Sequence, residues 1–378
     1  MSTIPSTHKA AAFTGSTEDG KLIEIVETPT VLPVPAGKLL VKVKAAALNP
    51  TDWKHIVVKW GEKGDIVGAD SAGVVVAVGS NVKGFSVGDN VSSFTHGSYT
   101  YEPASGSLQD YLVVEPSLTI RYNKKLTSSD KSEQSPVESF EGAASITLGV
   151  ATVGMSLQHE MKLPLDKSKN SGKTLLIWGG ATATGILAIQ VAKRVYGLTV
   201  ITTASKKHNE FLKKQGADFV FDYHDKDVVE QIRKAAGGDG DELVYALDTV
   251  SVVDTFNATY ETLSRTKPAH FDNLLGLDEK DLKGKKKRDN VTLTSTLTYR
   301  LFGNDQILGG EVVHSSKEIV DDNATFWRVI QKAVNEGIIE HAPLKILKGG
   351  YKSAEEGYSL LRNGKVSAEK LIVRPDNV

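Results

Sequence analysis

The chain has 378 residues, no cysteine and a formal net charge of −1. That length exceeds one ordinary core and suits two domains, while 40% hydrophobic and 24% charged residues make an ordinary globular composition. The near-zero charge gives no basic field for nucleic acid or an anionic membrane, and without thiols there is no disulfide, thiolate metal site or cysteine nucleophile.

Residues 1–9 are polar and lack the apolar core of a signal peptide. The longest apolar runs, such as 73–79, are too short to cross a bilayer. A cytoplasmic location is therefore expected. The first third reads as short strands broken by glycine: 38–44, running on into 45–50, then 73–79, 87–91 and 109–114. Such spacing with little helical periodicity predicts a compact β-rich unit. The character changes near residue 150. A short apolar strand at 174–178 meets a glycine turn, and 186–196 follows with helical spacing and a buried stripe of Ile186, Ile189, Ala192 and Val195. Strand 198–204, helix 206–215, strand 218–223, helix 227–236 and strand 242–248 come next. Strands alternating with helices at these lengths predict βαβ units on a parallel sheet. The run 280–288 is rich in lysine and reads as a solvated loop, with Lys285 to Arg288 as a lesser candidate for nuclear entry. Residues 291–297 suit an edge strand that pairs across a dimer, or equally an interior or covered strand, so monomer and homodimer both stay open. Amphipathic helices at 324–336 and 353–362 and a strand at 370–373 close the chain.

The turn reads Gly179-Gly180-Ala181-Thr182-Ala183-Thr184-Gly185. Between a strand and a helix, residues without bulky side chains let the backbone approach a pyrophosphate, and the free N–H groups at the helix start point at its charge. Gly179 and Gly185 hold the outer positions, but Thr182 replaces the middle glycine. Thr182 and Thr184 are candidates to offer hydroxyls to the phosphates instead. A tight turn that binds nothing is the competing reading, which the βαβ context opposes. The second strand ends Thr202-Thr203-Ala204-Ser205-Lys206, with no acid before Glu210 to hold a ribose 2′-OH. Ser205 and Lys206 suit a 2′-phosphate, which favours NADP(H) and leaves NAD(H) possible. The alternative is a helix cap at Ser205 followed by exposed lysines.

Several segments in order resemble the zinc-independent branch of the medium-chain dehydrogenase/reductase superfamily, whose members include quinone oxidoreductases, fungal aldehyde reductases and trans-acting enoyl reductases. They are 47–54 (ALNPTDWK), 67–73 (VGADSAG), 87–89 (VGD), 106–111 (GSLQDY) and the glycine turn. The resemblance spans nearly the whole chain. It implies an α/β protein: a GroES-like β-rich catalytic domain from residues 1–150 and 322–378, with a Rossmann doubly wound domain at 151–321. It implies a cleft between domains holding nicotinamide and substrate, with Asn49, Pro50 and Thr51 near the nicotinamide. Thr147 and Thr152 would approach from the entering helix. Gly179 to Gly185 would wrap the pyrophosphate. Ser205, Lys206 and Tyr223 would surround the adenosine phosphate, and Ser367, Ala368 and Lys370 would return to the cofactor. Zinc-dependent relatives carry Gly-His-Glu where this chain has Gly68-Ala69-Asp70, and they use a cysteine that is absent here. His55 and His96 therefore read as surface or supporting histidines, not ligands, and no zinc is expected.

Without a Lewis acid, the developing oxyanion needs hydrogen-bond donors or delocalisation. The leading expectation is hydride transfer from NADPH to an aldehyde carbonyl of a small molecule, with Thr51 and Lys54 as catalytic candidates and Lys370 as a weaker one. Reduction of a quinone or of an α,β-unsaturated (enoyl) carbonyl is the alternative. A non-catalytic NADPH-binding structural or sensor protein is the reading from another class.

Overall fold

The computed structural model describes residues 3–237, 240–284 and 286–376. The chain forms two compact units: Met1–Ala151, Tyr299–Val320 and Trp327–Val378 in the first, Thr152–Thr298 and Asp321–Phe326 in the second.

The first unit is β-rich. Its seven-stranded sheet runs Leu344–Ile346, Lys370–Val373, Leu39–Ala47, Asp70–Val78, Asn90–Phe94, Thr119–Tyr122, with Tyr111–Val114 also paired to Leu39–Ala47. One edge of Leu39–Ala47 is shared: Leu39 to Lys42 pair with Tyr111–Val114, and Ala46 and Ala47 pair with Lys370–Val373. The chain's last strand is thus hydrogen-bonded to one of its first. On the other edge Ala47 faces Asp70. This register brings residues 49, 70 and 370 together. Beneath the sheet lie Leu39, Val41, Val43, Val75, Val91, Leu112 and Val114. A second cluster joins Phe13, Leu48 and Ile56 to Tyr351, Tyr358 and Leu371, so the helix Ala354–Arg362 packs with the N-terminal third.

The second unit carries a six-stranded parallel sheet in the order Phe219–Phe221, Thr199–Thr203, Thr174–Trp178, Tyr245–Asp248, Ala269–Asn273, Val291–Ser295. Read in chain sequence this is 3-2-1-4-5-6, the doubly wound dinucleotide-binding order. Leu176, Ile201, Ala246, Phe256 and Phe271 are among its core. The helix Ala183–Gln190 continues as a π-helical turn, Val191–Tyr196, which Gly197 ends at φ +74°. The four stripe residues are buried, but so are Leu187, Ala188, Gln190 and Val191. The helix is therefore enclosed on more than one face. Val291–Ser295 takes the sheet edge.

Four expectations change. The return to the first unit comes at Tyr299, not at 322, because Tyr299, Phe302 and Gln306 pack on Phe94 and His96. The expected strand at 87–91 forms instead at Asn90–Phe94, since Gly88 at φ +97° and the Asp89 carboxylate, accepting from Ser86 N–H at 2.8 Å, close a turn first. Phe140–Glu160 is long and apolar enough to cross a membrane, where only shorter apolar runs were expected, yet nearly all of it is buried inside the fold. In the lysine-rich run, Lys285 lies outside the described residues. Lys287 and Arg288 are not free cations there. The Lys287 ammonium donates to Val291 O at 2.9 Å, and Arg288 donates to Tyr260 O at 2.8 Å while lying over the Tyr260 ring.

Candidate active site

The helix Pro50–Val57 starts from Asn49, whose extended backbone (φ −129°, ψ 153°) and following proline suit a helix entrance. Asp52 folds back to accept Asn49 N–H at 2.8 Å. The Asn49 amide donates to Asp70 at 3.0 Å and to Ala47 O at 3.2 Å, and its oxygen accepts from the Lys370 ammonium. Asp70 also accepts Leu148 N–H at 2.7 Å and lies 3.5 Å from the Lys370 nitrogen. All four residues are buried. Asn49 and Lys370, expected beside the cofactor, therefore have their polar atoms committed to a closed cage. Two acids share one cation there, and burial raises the pKa of both carboxyls, Asp52 to about 8. Asp52 is then neutral near pH 7.

A pH effect follows. Between the unfolded value near 4 and the folded value near 8, the native state holds a proton on Asp52 that the unfolded chain has lost. This contribution to stability is full at acid pH and declines as pH rises through that window. Asp52→Asn imitates the neutral acid. Its unfolding free energy, followed from pH 5 to pH 8, should fall less than that of the unaltered protein; identical slopes would contradict this assignment.

One turn along, Thr51, Lys54 and His55 share a helix face. The His55 Nδ1 lies 3.3 Å from Gly97 O, and its Nε2 lies 3.2 Å from Thr51 Oγ1. Burial lowers the imidazole pKa to about 4, so the ring is neutral. A carbonyl only accepts, hence the single ring proton sits on Nδ1 and Nε2 accepts from Thr51. Tyr299 Oη, 2.6 Å from Thr51 Oγ1, must then donate to it. The chain of hydrogens runs Tyr299 to Thr51 to His55. His96 stacks between Tyr99 and Tyr299, with ring centroids 4.1 and 4.0 Å away. Neither histidine is at the surface. Lys54 is half-buried with its nitrogen 5.9 Å from the Trp53 ring centroid, and burial lowers its pKa.

Zinc does not fit these residues. A tetrahedral site needs several thiolate, imidazole or carboxylate donors around one point. Position 69 is alanine, the chain has no cysteine, both His55 nitrogens are taken, and Asp70 is bonded to Asn49, Leu148 and Lys370.

In the second unit, the glycine turn joins Thr174–Trp178 to Ala183–Gln190. Gly179 sits at φ +85°, where side chains are disfavoured. A Cβ on Gly180 would collide with the Thr202 hydroxyl, and one on Gly185 with the Gly179 carbonyl. The turn is thus a cradle that side chains would fill, as backbone approach to a pyrophosphate requires. Thr182 caps the helix, accepting Gly185 N–H at 2.9 Å, and its hydroxyl lies 2.8 Å from that of Thr249. Ala181, Ala183 and Thr184 are partly exposed beside it.

Ser205 does not cap its helix; its hydroxyl lies 3.2 Å from Tyr223 Oη. Lys206 pairs with Asp225 at 3.6 Å. The three predicted adenosine-end residues are therefore neighbours, with an acid that the sequence reading overlooked. Thr147 is fully buried, donating to Ser92 at 2.9 Å within the first unit, so its hydroxyl is spent on packing. Thr152 is nearly buried. Pro50 and Ser367 are exposed, and Ala368 adopts φ +56° just before the last strand. Tyr299 and Thr249 are the participants that sequence reasoning missed. His55, expected as a surface or supporting histidine, is buried against Thr51, and its i+4 spacing from that residue was the local signal.

Residues 35–124 match the model of the alcohol dehydrogenase GroES-like domain, and residues 183–266 match that of the zinc-binding dehydrogenases. The chain is 34% identical to the uncharacterized protein YNL134C of Saccharomyces cerevisiae, over 98% of each. It is 33% identical to the trans-enoyl reductase resD of Aspergillus sclerotiorum, over 89% of this chain and 93% of that one. The quinone oxidoreductase of Coxiella burnetii has the same fold, with a TM-score of 0.69 at 23% identity, over 97% of this chain and 99% of its own.

Proposed function

Because the chain belongs to the zinc-independent branch of the medium-chain dehydrogenase/reductase superfamily, we propose that it is an NAD(P)H-dependent reductase of α,β-unsaturated carbonyl compounds or quinones. The observation that carries this choice over an aldehyde is the commitment of the Thr51 hydrogen to His55. With Lys370 also locked in its cage, Lys54 is left of the three candidates as the proton donor, and no second donor joins it to hold a localised oxyanion. Hydride arriving at an aldehyde concentrates charge on one oxygen, which needs a strong donor. A conjugated acceptor spreads that charge over several atoms. Similarity to a trans-enoyl reductase supports the same ranking, which reverses the order expected from sequence.

The dinucleotide supplies the hydride. Thr51, held from both sides by Tyr299 and His55, is a fixed wall of the site and not a donor to the substrate oxygen. Lys54 protonates the product: burial lowers its pKa, which makes the ammonium a stronger acid. Ser205 and Lys206 favour a 2′-phosphate and hence NADPH. The Asp225 partner tempers that preference, so NADH is used as well.

The test mixes the protein with NADPH or NADH and a panel of enones, quinones and aldehydes, following cofactor absorbance. Enones or quinones should turn over fastest. Tight cofactor binding with no oxidation by any substrate would leave a non-catalytic binding protein. Lys54→Ala should lower kcat on the order of 100-fold with little change in NADPH affinity. If every accepted substrate turns over at the original rate, Lys54 is not the proton donor.

A further inference from the structure

We infer that Thr249 is a positioning residue for the glycine turn, and that the hydroxyl offered to a pyrophosphate there belongs to Thr184 and not Thr182. This rests on the reading of the turn as a dinucleotide site. The argument is an assignment of hydrogens. Thr249 Oγ1 lies 2.8 Å from Trp178 O and 2.9 Å from Gly179 O. Carbonyl oxygens only accept, so the one Thr249 hydrogen is shared between them. Thr182 Oγ1, 2.8 Å from Thr249 Oγ1, must then be the donor of that pair. It also accepts Gly185 N–H at 2.9 Å. The strap has one direction, from Gly185 through Thr182 and Thr249 to the carbonyls that open the turn, and it consumes the Thr182 hydrogen.

The anchor of this strap is stiff. Asp248, fully buried at the end of its strand, accepts the N–H groups of Val250 and Ser251, both at 2.9 Å, and the Thr255 hydroxyl at 2.7 Å. Ser251 in turn accepts Leu274 N–H at 2.8 Å, beyond the end of the neighbouring strand. Thr249 thus ties the turn to two loops at the carboxyl edge of the parallel sheet, the side on which such sheets bind ligands. The strap takes the third helical N–H, that of Gly185. The N–H groups of Ala183 and Thr184, which a helix start leaves without intrahelical partners, remain for a ligand. Thr184 is partly exposed, and its hydroxyl has no partner among the described residues. In this family position a threonine in place of the middle glycine is therefore a clamp that fixes the turn's shape.

Calorimetric titration with NADPH tests both halves. Thr249→Val keeps the shape and removes the acceptor; its Kd should rise about five- to tenfold, as should the KM for NADPH, with kcat at saturating cofactor little changed. Thr249→Ser should restore the original Kd. Thr184→Val, on a partly exposed residue that should not disturb folding, should raise Kd by a similar factor with an unchanged melting temperature. An unchanged Kd in Thr249→Val, or an equal rise in Thr249→Ser, overturns the positioning role. An unchanged Kd in Thr184→Val overturns the phosphate assignment. If the unaltered protein binds neither NADPH nor NADH, the dinucleotide reading itself fails and takes the inference with it.

Discussion

Lys370→Met is expected to destabilise the first unit by about 3–5 kcal/mol, the usual cost of leaving a buried charge without its partner. Among the described residues, the ammonium is the one cation acting on the buried carboxyls of Asp52 and Asp70, and it also satisfies the Asn49 oxygen. Methionine fills the volume but leaves Asp70 to ionise alone or to hold a proton. The second course raises its folded pKa further above the unfolded value. Stability lost through a raised carboxyl pKa grows as pH rises, so the deficit should be larger at pH 8 than at pH 5. Thermal unfolding should show a fall of roughly 10 °C near neutral pH. Adding Asp70→Asn to Lys370→Met should recover part of the loss, because the stranded charge is gone. A single variant that melts with the unaltered protein at both pH values would mean the cage is open to water.

Gly185→Ala should weaken dinucleotide binding by at least about 100-fold, the second large effect. The added Cβ would press on the Gly179 carbonyl and the Gly180 Cα, both backbone, so no flexible side chain can yield. Relief requires the strand end and the helix start to separate, which also stretches the Gly185 to Thr182 bond. The expected loss of fold stability is smaller, roughly 1–3 kcal/mol. Folded protein with intact circular dichroism and no heat of NADPH binding is the predicted outcome. Near-normal affinity would show that the turn does not cradle the pyrophosphate.

What could be read from sequence followed the range of the interactions. The parallel sheet, its turn and the closing strand at 370–373 announce themselves through periodicity over a few residues, and the structure has them at Thr174–Trp178, Ala183–Gln190 and Lys370–Val373. The commitments that decide chemistry are long-range. Thr51 meets Tyr299 across 248 positions, Lys370 meets Asn49 across 321, and Thr182 meets Thr249 across 67. No local pattern encodes which hydroxyl is donor and which is acceptor. The resemblance implies a cofactor contact at Lys370, and it carries no sign of the partner that the register of the last strand against Leu39–Ala47 gives it, Asp70. The helix cap that stood as the alternative for Ser205 does not form, because its hydroxyl lies beside Tyr223, which follows the adjacent strand. The expectation of no zinc was of a different kind. It depended on residue identities alone, a missing imidazole at 69 and no cysteine anywhere.

The placement of one side chain at the head of the turn has an optical consequence. Of four tryptophans, Trp53, Trp60 and Trp327 belong to the first unit and Trp178 alone to the second. Trp178 is buried, directly precedes Gly179, and its carbonyl receives the Thr249 hydroxyl. With the other three indoles replaced by phenylalanine, and with excitation at wavelengths that the tyrosines do not absorb, emission would come from a single residue bonded to the strap itself. The turn therefore carries its own fluorophore, and its occupancy can be followed without any attached label.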